Sequence, residues 1–218
     1  MNFQKSLPLL IALLIPSVLQ GGLIADSLEI NSEVLIAREE KDLGLADIDH
    51  LIDEVANAEE AGNYKKALDL LDLILAIERR ELGLDHSDLG DTLAWKGSIY
   101  QQRGLYEKAE ELLRLGLEIQ EKQLGVGHFD TARTLSYFGS LYQEQELYEK
   151  AESFYLRALV IEEKELGAEH IDTAKTLYDL GSLYLDQKLY EKAEQFLSRA
   201  LVIHEKELGP DHPELAII

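Results

Sequence analysis

Gly62-Asn63-Tyr64-Lys65-Lys66-Ala67 returns 42 residues later as Gly104-Leu105-Tyr106-Glu107-Lys108-Ala109. It returns again as Glu146-Leu147-Tyr148-Glu149-Lys150-Ala151 and as Lys188-Leu189-Tyr190-Glu191-Lys192-Ala193. The tyrosines at 64, 106, 148 and 190 are in strict register. So are Leu-Gly at 82–83, 124–125, 166–167 and 208–209, and His86, His128, His170 and His212. A fixed period of this length marks a solenoid, in which each unit buries its apolar face only against its neighbours.

The unit reads as two helices. In the third copy, Leu135, Phe138, Gly139 and Tyr142 fall at i, i+3, i+4 and i+7, one face of a helix. A turn follows at Gln145 to Leu147. A second helix carries Ala151, Tyr155, Ala158 and Leu159 on one face and runs to Leu166. Gly167 then supplies the left-handed residue that closes a helix. No strand-like alternation occurs anywhere. The expected fold is therefore all-α, a right-handed α-solenoid of antiparallel helix hairpins over 47–218. Four hairpins span roughly 50–82, 87–124, 129–166 and 171–208, and a truncated fifth first-helix lies at 211–218. The first hairpin is degenerate, with Val55 and Ala58 where later copies have glycine and tyrosine. Gly97, Gly139 and Gly181, with Ala109, Ala151 and Ala193, let paired helices approach closely. Gly116 departs from Ala158 and Ala200 at a helix cost of about 1 kcal/mol. Glu146 and Lys188 replace the turn glycines at 62 and 104, which predicts modest backbone strain.

The first residues are of another kind. Lys5 precedes an almost wholly apolar run from Leu7 to Leu19, and Ala25 offers a small residue before a cut. That order predicts a signal peptide at 1–25 and an exported chain, periplasmic or secreted. The run is shorter than the roughly 20 residues of a membrane span. An uncleaved signal anchor and a buried amphipathic helix are the alternatives. Residues 26–46 read as an acidic connecting segment. The formal net charge of −21 repels phosphate backbones and anionic lipids, so neither nucleic acid nor, for the mature chain, a membrane is an expected partner. Without cysteine there are no disulfides, thiolate metal sites or cysteine nucleophiles.

Leu135, Phe138-Gly139, Tyr142, Ala151, Tyr155 and Ala158 match the pattern large, Leu-Gly, Tyr, Ala, aromatic, Ala. Here the chain resembles the tetratricopeptide repeat (TPR) family, in the 42-residue variant of kinesin light chains and many bacterial proteins. The resemblance covers about 50–218. The order of leader, acidic segment and repeats also resembles the N-terminal part of bacterial proteins ending in a CHAT peptidase-like domain. These likenesses imply a scaffold that binds a protein or peptide in a concave groove lined by the first helices. Mapped by register, the groove set is Asp91, Ala94, Ser98 and Gln101, then Arg133, Ser136, Ser140 and Gln143, then Lys175, Tyr178, Ser182 and Leu185. Trp95, Tyr137 and Asp179 stand one position on, where many relatives carry asparagine. Arg133 and Lys175 are candidates to pair with a carboxylate of an extended partner, with Tyr178 as an anchor beside them. The plainer reading is local salt bridging.

The histidine ladder is the one candidate metal site. Residues 42 apart on separate loops do not converge within the 2–2.2 Å that an ion requires, so each histidine is expected to cap a helix start. His204-Glu205-Lys206-Glu207-Leu208 lacks the second histidine of a zincin helix, and neither a nucleophile elbow nor a phosphate loop occurs. The expectation is a non-catalytic scaffold without cofactor. The alternatives are the recognition part of a split TPR–CHAT system, or a histidine-ladder enzyme. The apolar surface near Phe196, Leu197 and Leu201 predicts self-association through an uncapped C-terminal end.

Overall fold

The computed structural model describes residues 43–208. The leader, the connecting segment before residue 43, His212 and the fifth first-helix lie outside the described residues. Among the described residues all regular structure is helical: a 3-10 turn at Leu45–Asp47, then eight α-helices. They pair as α1 (Ile48–Glu60) with α2 (Tyr64–Glu81) and α3 (Ser87–Gln102) with α4 (Tyr106–Gln123). The next pairs are α5 (Phe129–Glu144) with α6 (Tyr148–Glu165) and α7 (Ile171–Asp186) with α8 (Tyr190–Leu208). Each hairpin packs only on its neighbours, and first helices touch in sequence, α3 on α5 and α5 on α7. This is an all-α repeat solenoid.

The repeated motifs explain the helix ends. His86, His128 and His170 are N-caps with extended backbone. Each Nδ1 accepts the backbone N–H two residues on, from Asp88 at 3.4 Å and from Asp130 and Asp172 at 3.2 Å. Those aspartates also put negative charge at the helix N-terminus, where the helix dipole favours it. At the turns, Glu146 and Lys188 hold φ of 59° and 60°, nearly the 68° and 70° of Gly62 and Gly104. An L-residue there costs about 1 kcal/mol, the strain expected from the sequence.

The small residues have specific partners. A Cβ at Gly139 would lie 2.6 Å from the Tyr155 ring, and one at Gly181 2.5 Å from Leu197 Cγ. The glycines are thus sockets for a large side chain of the paired helix. Gly116 has its own reason: a Cβ there would sit 2.6 Å from the Gly90 carbonyl oxygen. The later hairpins place Ala132 and Ala174 opposite Ala158 and Ala200, so α3 and α4 alone use glycine on both sides. Around these contacts Leu135, Leu141, Tyr155, Leu177 and Leu180 form a nearly solvent-free core. Phe138 and Phe154 stack in it with centroids 4.9 Å apart.

Candidate protein-binding groove

Several of the groove residues read from the sequence are tied to the neighbouring repeat. Gln101 Nε2 donates to Ser140 Oγ at 2.7 Å and to Glu144 Oε1 at 2.9 Å. One repeat on, Gln143 Nε2 donates to Asp186 Oδ2 at 2.7 Å and to Ser182 Oγ at 3.4 Å. The Tyr155 hydroxyl donates to Gln143 Oε1 at 3.2 Å. These pairs form a brace that clamps consecutive first helices, and Leu185 ends it in the same register. Ser136 and Thr176 share a hydrogen bond at 3.3 Å, and the Ser98 hydroxyl donates to the Trp95 carbonyl at 2.7 Å. Ala94 is buried, and Tyr178 is half-buried against the core.

Both cations of the set have partners within the chain. Arg133 meets Asp91 at 2.6 Å and Asp130 at 3.4 Å, with its guanidinium 5.8 Å from the Phe129 ring centroid. Lys175 meets Asp172 at 2.9 Å.

Three adjoining hollows run along the first helices. The first, of about 410 Å³, is walled by Asp49, Glu78, Asp91, Trp95, Arg133 and Tyr137. The second, of about 340 Å³, is walled by Phe129, Tyr137, Glu162, Lys175 and Asp179. The third, of about 360 Å³, is walled by Glu59, Trp95, Gln101, Tyr137 and Glu144. Tyr137 belongs to all three and Trp95 to two, so they form one continuous groove. The Trp95 indole donates to Glu59 Oε2 at 2.9 Å, which fixes its ring in the wall.

The sequence reading did not single out the residues beneath this groove. Glu78, Gln120, Glu162 and His204 occupy one register position on successive second helices, and all four are buried. The Thr92 hydroxyl donates to Glu78 Oε1 at 2.9 Å, and the Thr176 hydroxyl to Glu162 Oε1 at 3.0 Å. Gln120 Nε2 donates to Asp91 Oδ1 at 2.7 Å. Oε2 of both glutamates has no partner. Burial pushes each of these carboxyls up to about 7 against the threonine hydrogen bonds, and burial raises Asp179 to about 7 as well. The recurrence itself was visible: a polar residue stands eleven positions after each of Ala67, Ala109, Ala151 and Ala193, preceded each time by isoleucine and followed by a charged residue.

Among the described residues, no three side chains of His, Asp or Glu are placed to hold a metal ion. No described helix is long and apolar enough to cross a membrane.

The tetratricopeptide repeat family model matches residues 54–122, 88–161, 130–206 and 172–218. Among solved structures, the chain is similar to BtubC (BKLC) from P. vanneervenii, at 22% identity and a TM-score of 0.60. That match covers 73% of this chain and 63% of BtubC, so the chain spans less than two thirds of that protein's length. It is also similar to a Podosopora anserina kinesin light chain protein with nearly identical TPR-like repeats. A variant of that protein matches at 20% identity and a TM-score of 0.62, over 78% of this chain and 80% of the other. A second structure of it matches at 22% identity and 0.55, over 80% and 84%. At these identities the likeness is one of fold. No curated protein matches significantly.

Proposed function

The chain belongs to the tetratricopeptide repeat family, and on that premise we propose that it is a non-catalytic scaffold whose first helices seat a segment of another protein. The observation that carries this reading is the continuous groove walled by Trp95 and Tyr137, with buried polar groups in its floor. Large aromatic side chains on a groove wall supply contact area at low entropic cost, which is why they dominate binding energy at interfaces. The neighbouring hydrogen bonds hold the wall rigid, so little ordering is left for the moment of binding.

The test is a pull-down from native cell extract with the full chain as bait. It is run beside a Trp95→Ala, Tyr137→Ala variant whose helix content is verified by circular dichroism. A partner held by the parent and released by the variant is the expected result. Equal retention by both would move the interaction off the groove.

A further inference from the structure

Resting on that groove reading, we infer that the seated segment is basic: two hollows each take a lysine or arginine side chain of an extended peptide, one against Glu78 and one against Glu162. Glu78 is 4% exposed and Glu162 3%, yet Oε2 of each has no partner while each residue lines a hollow. A buried acceptor left unpaired costs about 1–3 kcal/mol, and more when charged, so such atoms call for a reason. An incoming ammonium or guanidinium supplies the missing donor and the missing charge together.

The rest of each hollow agrees. Asp49 shares the first hollow and Asp179 the second. Arg133 and Lys175, the cations lining these hollows, are already held by aspartates. An acidic segment would face these carboxylates with no free cation to offset them. Tyr137 stands in the wall of both hollows, and a tyrosine face also favours a cation. Between the two glutamates the register position is Gln120, which is neutral, donates through Nε2 to Asp91 and leaves its own Oε1 without a partner. There the chain supplies its own cation, because Arg133 also lies on Asp91. Arg133 thus shows how the groove holds a guanidinium.

Spacing follows from the repeat. Glu78 and Glu162 are two units apart, and packed helices lie about 10 Å from one another, so the two hollows are on the order of 20 Å apart. A fully extended chain covers that distance in about six residues.

The test uses the full chain and a synthetic, otherwise uncharged peptide with two lysines about six residues apart, followed by fluorescence anisotropy. The comparison probe carries glutamates in place of the lysines. The protein variant is Glu78→Gln, Glu162→Gln, and Gln120 shows that this register accepts glutamine. The lysine peptide is expected to bind the parent, to weaken on the order of tenfold with the variant, and to outcompete the glutamate peptide. Equal binding to parent and variant would overturn the inference and assign the attraction to the acidic exterior. Preference for the glutamate peptide, lost on Tyr137→Ala, would overturn it while leaving the groove reading intact. Binding of neither peptide would also overturn it, and the groove reading would then rest on the pull-down alone.

Discussion

The outer and inner faces of this solenoid treat charge in opposite ways. Outside, second helices are laced together, Arg157 to Glu121 at 3.4 Å and Arg199 to Glu163 at 2.7 Å, while Lys122 reaches Asp85 in the loop before α3 at 2.7 Å. All are solvated pairs, each worth about 0–1 kcal/mol. Inside, the cations are fewer and already engaged, and Glu78 and Glu162 keep a carboxylate oxygen without a partner. Charge on the outer face is cheap, held in solvated pairs. On the inner face it is costly and left open, and such open charge is more often a binding feature than a folding one.

The largest effect that would break this contrast is on stability against pH. Glu78 faces Thr92, Asp88, Asp91 and Arg79, and Glu162 faces Thr176, Asp172, Asp179 and Lys175. Both carboxyls sit near 7 when folded, above the ordinary 4.5. The folded state therefore binds more protons than the unfolded state between these values. The two groups help most below pH 4.5, and their contribution is lost as pH rises through 7. Glu78→Gln with Glu162→Gln should flatten that fall and raise stability at pH 8 by about 2–3 kcal/mol per site. Urea unfolding at pH 5 and pH 8 reads it, and an unchanged pH slope would refute the account of these two groups.

A smaller effect concerns the brace beside the groove. Gln101→Leu removes two donated hydrogen bonds and leaves Ser140 and Glu144 without them, costing about 1–2 kcal/mol. Amide hydrogen exchange should show faster opening of α3 and α5, with α7 and α8 little changed. Below that come the turns. Glu146→Gly and Lys188→Gly relieve a left-handed backbone and should each raise stability by up to about 1 kcal/mol, read as a higher thermal midpoint. Smallest of all is the outer face. Arg199→Ala should cost under about 1 kcal/mol, a loss that vanishes at 1 M salt.

The fold class was legible because the same residues recur at a fixed interval. Gly139, Tyr142, Ala151 and Tyr155 announce a hairpin, and the histidine before each first helix announces its start. The floor of the groove was harder to read. Glu78 and Glu162 lie on second helices that carry many acids, and sequence alone does not say which acid a neighbouring repeat covers. Burial of those two depends on α3 and α7 bringing Thr92 and Thr176 against them. The pairing of Arg133 with Asp91 was likewise invisible, because it joins positions 42 residues apart. Gly116 reads as a defect until Gly90 is seen opposite it.

The near-identity of the turns at Gly104 and Glu146 has a consequence for how such a chain changes length. Their backbones follow the same path, at φ of 70° and 59°, and each opens a helix on tyrosine. A crossover that joins Leu105 directly to Tyr148 deletes one unit and reconnects equivalent backbone points. Gly90 then faces Ala158, whose Cβ takes the place where one on Gly116 would meet the Gly90 carbonyl oxygen at 2.6 Å, so the two helices must shift apart there. The same event makes Glu162 the immediate successor of Glu78 along the groove, halving the distance between the two open carboxylates. Unequal recombination between copies would thus act as a ruler, resetting the stride of the recognised segment in whole units at the cost of that one repacked contact.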